Sequence, residues 1–487
     1  MVAVSERAPA PSLRVPTLLD RLGEALDLAG ISCCQWKGHY KKAHWEGGAG
    51  DVDLLVDPSM SERLDGVLDR LGFKLALPDP EGLVPGTANW FGYDARQGVL
   101  INVHVHVRMM VGGYWTTMYR LPMERAMLEA TAPRLPFAVP EPELEYIAFV
   151  LRSVQRFRIM DLFAPPPGGG GGQPHWLRVA QPEFAYLLNQ VDRRRLLARL
   201  AELLPSIDPA FFDACARSLR PGVSRWLRLR LRLELHARLH PHAHYPPRLL
   251  LVKRALRRLH LLPRTRRMRL ARGGRLFALL GADGAGKTTC NAELTRWLGA
   301  QFEVRRAHLG RPPRSLTTLF VGALLRVQRK LMRGSSTQGT PSPLELLRLV
   351  CTARDRYLLF TKMRRFAEAG GIALCERYPI HQNRMLVGPE IQRLLGHGRD
   401  TPLARRLMRL EQWYYRRITS PDVIMVLRIA PDLAVRRKVD EPPDYVHARA
   451  RIIWETDWTG TDAHLVDAGR EFPEVIGDLK SIVWSEI

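Results

Sequence analysis

The stretch RLFALLGADGAGKTTCNAELTRWLG, residues 275–299, joins a buried apolar run, a glycine-rich turn and an amphipathic segment. Residues 276–280 have the continuous apolar character of a buried strand, and residues 289–298 place apolar side chains at helical spacing. Between them, Gly281 to Thr288 fill the pattern GxxxxGK[ST], which in this strand, loop and helix order is typical of phosphate-binding loops. The stretch therefore predicts a parallel α/β sheet whose ligand lies at the start of the helix.

Each residue type in this loop has a physical reason to meet a nucleotide phosphate. Glycines let successive backbone N–H groups converge on phosphate oxygens, and a helix N-terminus favours negative charge. Lys287 would place a positive charge on the β- and γ-phosphates, and Thr288 would offer its hydroxyl to Mg²⁺. We therefore expect ATP and Mg²⁺ as cofactors; the alternative is a glycine-rich turn that binds neither. The nucleotide-binding candidates are Gly281, Asp283, Gly284, Ala285, Gly286, Lys287, Thr288 and Thr289.

Two further buried-strand runs, residues 372–375 and 423–429, follow along the chain. Glu376 and Arg377 come directly after the first of them. Because the carboxyl ends of parallel strands face the ligand crevice, we expect both side chains to project toward the phosphates. A surface ion pair is the alternative for an acid in this position.

Together these residues resemble the thymidylate kinase family of P-loop nucleoside monophosphate kinases, from about residue 276 to 483. The resemblance implies phosphoryl transfer from ATP to a nucleoside monophosphate, with dTMP to dTDP as the leading reaction. It implies that Asp283 contacts the acceptor sugar hydroxyl, that Glu376-Arg377-Tyr378 replaces the family's Asp-Arg-Tyr motif, and that Arg356 approaches the acceptor. The implied catalytic residues are Lys287, Glu376, Arg377 and Arg356. The implied metal ligands in this part of the chain are Thr288 and Glu376.

Two segments depart from that family. AHLGRPP, residues 307–313, stands where the family has an Arg-Glu-Pro-Gly-Gly segment, and the lid after Arg437 is abbreviated. Another small-molecule acceptor of the phosphoryl group therefore stays open. Four arginines are candidates for a lid that excludes water, with plain surface charge as the alternative: Arg436, Arg437, Arg449 and Arg451.

Three pieces near the N-terminus resemble the nucleotidyltransferase fold: residues 36–38, 48–58 and 99–107. Asp51 and Asp53 stand at i and i+2 on a strand, so both carboxylates face one way and could share Mg²⁺. Alternating acids on a surface strand are an equally weighted alternative. Where such transferases carry a third carboxylate, this chain has Asn102, followed by His104 and His106.

The missing third carboxylate leaves the role of this second site open. It could bind nucleotide weakly, recruit His104, or keep a binding role without catalysis. Histidines at i and i+2 could also ligate a transition metal, with packing or substrate contact preferred in the absence of a third ligand.

The middle of the chain is strongly basic. Between residues 225 and 275, sixteen Arg or Lys residues face one acid, Glu234, so this window supplies +15 of the net charge of +24. The second hypothesis is that this segment binds RNA or an anionic membrane surface, which would make the chain a nucleotide-gated binding protein. The alternative is that the segment is only a solvated face and linker.

Three segments in or near this region have patterns that bear on secondary structure. Residues 226–235 are ambiguous between strand and helix, residues 249–259 predict an amphipathic helix, and PPPGGGGG at 165–172 predicts an exposed loop.

These observations predict an α/β protein in three parts. They are an α+β nucleotidyltransferase-like domain at 17–135, a helical and basic region at 136–272, and a P-loop, thymidylate kinase-like domain with a parallel sheet at 273–487.

The composition argues against several other classes of protein. A hydrophobic fraction of 46% over 487 residues argues against a disordered or fibrous chain. Six cysteines without CxxC spacing argue against disulfide frameworks and structural zinc sites, and no long apolar run or signal peptide is evident, so we expect a cytoplasmic protein. The oligomeric state is open, with a homodimer as one option.

Overall fold

The computed structural model describes residues 16–79, 83–112, 117–134, 136–157, 159–163, 175–245, 267–331, 341–380, 388–395 and 401–487, with Val252, Leu256 and Leu259. The chain divides into two compact units. The first comprises Met1–Leu75 with Pro80–Arg264, and the second comprises Ala76–Asp79 with Thr265–Ile487. The α/β fold class is confirmed, because the chain combines helices with a sheet of parallel strands and with antiparallel strand pairs.

The N-terminal half mixes strands and helices and ends in a run of helices. Its elements are α1 (Leu18–Leu28), β1 (Cys33–Lys37), α2 (Lys42–Glu46), β2 (Asp51–Val56), α3 (Ser61–Arg70), β3 (Lys74–Leu77), β4 (Thr87–Asp94), β5 (Val99–His106), β6 (Met110–Gly112), β7 (Met118–Arg120), α4 (Glu124–Glu129), β8 (Thr131–Ala132), β9 (Val139–Pro140), α5 (Pro142–Arg156), α6 (His175–Leu188), α7 (Arg193–Leu203), α8 (Pro209–Ser218), α9 (Arg225–Arg238) and β10 (Ala243–His244).

The sheet of the first unit places β1, β2, β5 and β4 side by side, with β2 and β5 parallel and the other pairs antiparallel. Successive strand residues face opposite sides. Leu54 therefore packs into a core with α1 and α3, whereas Leu55 packs into a second core with helices α5 to α9. The parallel register sets Asp51 beside Asn102 and Asp53 beside His104.

The ambiguous segment 226–235 is helical, within α9. Its period-two pattern of Leu and Arg is overridden by tertiary contacts. Leu231 and Leu235 are buried, and the buried guanidinium of Arg228 donates to the backbone carbonyls of Ser218 and Arg220. The predicted loop at 165–172 lies outside the described residues, as does most of the predicted helix at 249–259.

The second unit alternates strands and helices throughout. Its elements are β11 (Arg269–Leu270), β12 (Leu276–Gly281), α10 (Lys287–Leu298), β13 (Val304–His308), α11 (Leu316–Leu331), α12 (Pro343–Glu368), β14 (Ile372–Glu376), α13 (Ile391–Leu395), α14 (Pro402–Arg416), β15 (Val423–Arg428), α15 (Pro431–Arg437), α16 (Pro443–Glu455), β16 (Ala463–Asp467) and α17 (Phe472–Glu486).

Five strands of this unit form one wholly parallel sheet in the order β13-β14-β12-β15-β16. The predicted strands at 276–280, 372–375 and 423–429 are its three central strands, and the predicted helix is α10. All carboxyl ends lie at one edge, so the ends of β12 and β14 are neighbours there. Across the described part of the chain, no helix has both the length and the apolar character needed to cross a bilayer.

Candidate functional site

The glycine-rich loop connects central strand β12 to helix α10. Gly281, Gly284 and Gly286 have φ angles of 151°, 84° and 81°, in the region that favours glycine. At Gly284 a Cβ atom would lie 2.7 Å from the carbonyl oxygen of Ala434, in the middle of α15, so any side chain here would meet backbone. Ala285 is buried within the loop, and Thr288 and Thr289 form the exposed first turn of α10.

Lys287 is held inside this loop. Its Nζ donates to the carbonyl oxygen of Ala282 at 2.6 Å and lies 3.8 Å from a carboxylate oxygen of Asp283. Burial lowers the pKa of Lys287 to about 8, against the opposing effect of Asp283. The ammonium therefore lies under the loop that the motif assigns to phosphate.

Glu376 ends β14 beside the first turn of α10. Its buried carboxylate accepts from the Thr288 hydroxyl at 3.1 Å and from the Asn291 side-chain amide at 2.8 Å, and a guanidinium nitrogen of Arg306 lies 3.6 Å away. The two metal-ligand candidates of this unit are thus brought together. Asn291 was missed by sequence reasoning, although it lies three residues after Thr288 and so on the same helix face.

Asp283 is a buried carboxylate among cations. It forms an ion pair with Arg377, lies 3.1 Å from Nε of Arg449, and faces Lys287. Arg377 has a φ of 52°, the one positive value outside glycine in the described residues. Such backbone strain persists where the surroundings impose it, often at functional sites.

A pocket of about 360 Å³ opens beside this carboxylate. It is lined by Asp283, Arg311, Arg377, Glu441, Pro442, Tyr445 and Arg449. Three guanidinium groups in one small pocket suit an anionic ligand. Sequence reasoning missed Arg311 and Tyr445; the position of Arg311, just after the carboxyl end of β13, was the available signal.

The remaining predicted arginines lie in other surroundings. Arg356 is buried in α12 and donates to the carbonyl oxygen of Leu309 at 2.6 Å, to that of Gly310 and to the Tyr415 hydroxyl. Burial lowers the pKa of Arg356 to about 10. Its described contacts support the segment after β13, and it does not line the pocket described above.

Of the four lid candidates, Arg449 reaches the pocket. Arg437 donates to the carbonyl oxygens of Ala468 and Gly469, and Arg451 pairs with Glu455 one helical turn away. Arg436 lies in the last turn of α15 and does not line the pocket.

A second polar cluster lies on the β1, β2 and β5 strands of the first unit. Asp53 Oδ1 is 3.0 Å from Lys37 Nζ, 3.1 Å from His104 Nδ1 and 3.0 Å from His106 Nε2. Asp51 instead accepts from the Asn102 amide at 2.8 Å. The two acids of the predicted pair therefore have separate partners, and the histidines do have a third potential ligand, Asp53.

Charge and burial act strongly in this cluster. Burial of Asp53 alone would raise its pKa, but Lys37 and the two imidazoles outweigh it and hold that pKa well below the usual range. Burial lowers the pKa of His106 to about 3 and also lowers the pKa of Lys37. His106 is therefore a neutral imidazole at neutral pH.

The parallel sheet, the central strand–loop–helix and the GxxxxGKT sequence define the second unit as a P-loop nucleotide-binding domain. No family model matches the chain. The chain is similar to a protein named "Uncharacterized ATP-binding protein YghR" from Escherichia coli (strain K12), with 24% identity over 221 residues that cover 43% of this chain and 86% of that protein. The same values hold for the protein of that name from Escherichia coli O6:H1 (strain CFT073). These similarities support nucleotide binding.

Proposed function

We propose that the second unit transfers the γ-phosphoryl group of ATP to a small anionic acceptor, a nucleoside monophosphate, with dTMP as the first candidate. The observation that carries the proposal is the meeting of Thr288 and Glu376 at 3.1 Å, at the end of the P-loop and at the same sheet edge as the arginine-lined pocket. A nucleotide site and an anion site are thus adjacent, as transfer between two phosphates requires.

The loop residues fit ATP. Glycine at 284 keeps the loop backbone close to α15, the twelve-residue helix α10 points its N-terminus into the loop, and Lys287 lies beneath it. These are the features that hold phosphate groups in P-loop proteins. The relatives named for ATP binding support the same donor.

The donor set beside the loop fits Mg²⁺. An octahedral ion with oxygen ligands at 2.0–2.1 Å needs neighbouring oxygens about 3 Å apart, close to the separation of the Thr288 hydroxyl and the Glu376 carboxylate. Both are hard oxygen donors. When bound, Mg²⁺ would neutralise charge on the transferred phosphoryl group.

The pocket side chains suit the acceptor. Arg311, Arg377 and Arg449 can hold a phosphate while one of its oxygens approaches the γ-phosphorus in line. That oxygen forms a new bond to phosphorus as the bond to the bridging oxygen of ADP breaks, giving ADP and a diphosphate. Asp283 keeps Arg377 and Arg449 in place through its ion pairs.

The test is ADP release by the full chain with Mg·ATP against a panel of nucleoside monophosphates. We expect turnover with at least one member, dTMP first. Lys287→Ala should lower the turnover rate by about 100-fold or more, because it removes the positive charge that stabilises the transferred phosphoryl group. Lys362→Ala, which removes an exposed lysine of α12, is the matched control and should retain wild-type turnover.

Two results would overturn the proposal at different levels. Lys287-dependent ATP binding without turnover on any monophosphate would reject this acceptor class. Failure of the wild-type chain to bind ATP would reject the donor itself.

A further inference from the structure

The second cluster carries an inference independent of the P-loop. Three ligand atoms of two classes meet there: a carboxylate oxygen of Asp53 and one ring nitrogen each from His104 and His106. They lie 3.0, 3.1 and 3.1 Å from one another. We propose that these three side chains bind one divalent transition-metal ion, with Zn²⁺ as the first candidate.

The spacing of the three atoms matches a coordination sphere. With metal–ligand distances of about 2.05 Å, neighbouring ligands are about 2.9 Å apart in an octahedron and about 3.3 Å apart in a tetrahedron. The observed separations fall between these values, so one face of either polyhedron is already in place. Among the described residues, this is the one group of three His, Cys, Asp or Glu side chains with ligand atoms this close.

The fold explains why three ligands converge. Asp53 lies opposite His104 in the parallel β2–β5 pair, and His106 is two residues further along the same face of β5. Both positions are fixed by regular strands whose other faces are buried in the core with α1 and α3. Ligands on rigid strands lose little conformational freedom on binding.

The donor types select the ion. Two imidazoles and one carboxylate suit Zn²⁺, Co²⁺, Ni²⁺ or Cu²⁺, whereas Mg²⁺ prefers oxygen ligands throughout. The carboxylate that a magnesium-dependent transferase would add is replaced by Asn102, whose amide donates to Asp51. The residues present therefore fit a transition metal at Asp53 better than Mg²⁺ shared by Asp51 and Asp53.

Lys37 competes with the metal for the same oxygen. Its ammonium lies 3.0 Å from Asp53 Oδ1 and must move aside or remain as a neighbour of the bound ion. Replacing it with an uncharged side chain of similar length removes a repulsive charge next to the cation. Lys37→Met should therefore bind the metal more tightly than the wild-type chain.

The experiment is a Zn²⁺ titration of the chelator-stripped full chain in competition with a chromophoric chelator, repeated with Co²⁺ and visible absorption. We expect one tight ion per chain and Co²⁺ bands that report nitrogen ligation. Asp53→Asn and His104→Gln should each weaken binding by at least about 100-fold, because loss of a ligand exceeds the 10–100-fold effect of losing an outer partner. Millimolar Mg²⁺ should not displace the ion.

Matched controls separate this site from others. Asp51→Asn removes the neighbouring acid, and His464→Gln removes a partly exposed histidine of the second unit; both should keep wild-type Zn²⁺ affinity. Unchanged thermal unfolding of each stripped variant shows that it is folded. Absence of a tight Zn²⁺ or Co²⁺ site in the wild-type chain, or equal loss in Asp51→Asn, would overturn the proposal.

Discussion

Lys287 shows at the scale of one residue how burial sets the chemistry of the P-loop. The ammonium loses hydration under the loop and gains a backbone carbonyl and a nearby carboxylate in return. Burial prevails, and the pKa of Lys287 falls to about 8. A group that is charged at every physiological pH in water becomes one whose pKa lies about one unit above neutral pH.

This shift predicts a pH dependence of ATP binding. As the pH rises through about 8, Lys287 loses its proton and its attraction for phosphate, so ATP affinity should fall by up to about tenfold per pH unit. Calorimetric titration between pH 7.5 and 9.5 measures the effect. Lys287→Arg keeps its charge over this range and should flatten the profile. The assignment fails if wild-type affinity is constant or if Lys287→Arg shows the same slope.

Contacts between elements explain why the loop needs glycine at one position in particular. Gly284 and Gly460, both in the second unit, have φ angles of 84° and 73°. A Cβ atom at Gly284 would meet the Ala434 carbonyl oxygen at 2.7 Å, whereas one at Gly460 would meet no atom within 4 Å. An alanine would therefore pay the cost of a left-handed backbone at both positions, but it would clash with α15 at position 284 only.

The comparison gives a stability prediction. Gly460→Ala should destabilise the second unit by about 1–2 kcal/mol, the cost of a left-handed alanine. Gly284→Ala should cost clearly more, because the loop must also move away from α15. Thermal unfolding of both variants of the full chain measures the difference, and equal losses would contradict it.

Elements with a strong local pattern could be predicted from the sequence, and those decided by distant contacts could not. Strand β12 and helix α10 follow from an apolar run and the glycines around Lys287. Helix α9 stayed ambiguous because its Leu and Arg alternate, and buried partners such as the carbonyl of Ser218 decide its conformation. The candidate metal site could be predicted only in part. The two histidines were evident from the sequence, but the β2–β5 register that places Asp53 beside them cannot be deduced from the sequence of either strand alone.

At the scale of the whole molecule, several of the arginines that the structure describes within residues 225–275 are used inside the fold. Arg228 and Arg232 donate to backbone carbonyls, and Arg238 pairs with Asp208 and Glu234. Contact of this region with RNA or an anionic membrane stays a proposal. Retention that falls steeply with salt would support it, since such binding is driven by charge.

Two compact units, each with its own hydrophobic core, predict two calorimetric unfolding transitions. Saturating Mg·ATP at about 100 times its Kd adds about 2.7 kcal/mol to the second unit alone, a rise in its Tm of about 5–10 °C. Zn²⁺ should raise the other transition alone. The Mg·ATP shift should vanish in Lys287→Ala and persist in Asp53→Asn; a single transition raised by both ligands would contradict this prediction.

The left-handed backbone at Arg377 also bears on which changes of chain length this protein can accept. Glu376 and Arg377 are adjacent, yet the first reaches Thr288 and Asn291 while the second reaches Asp283. One residue inserted before Glu376 would move its carboxylate to the place of the Arg377 guanidinium, and one residue deleted there would move the guanidinium to the place of the carboxylate. We therefore expect insertions and deletions in homologous chains to lie elsewhere, so that the number of residues between strand β14 and this dipeptide is unchanged.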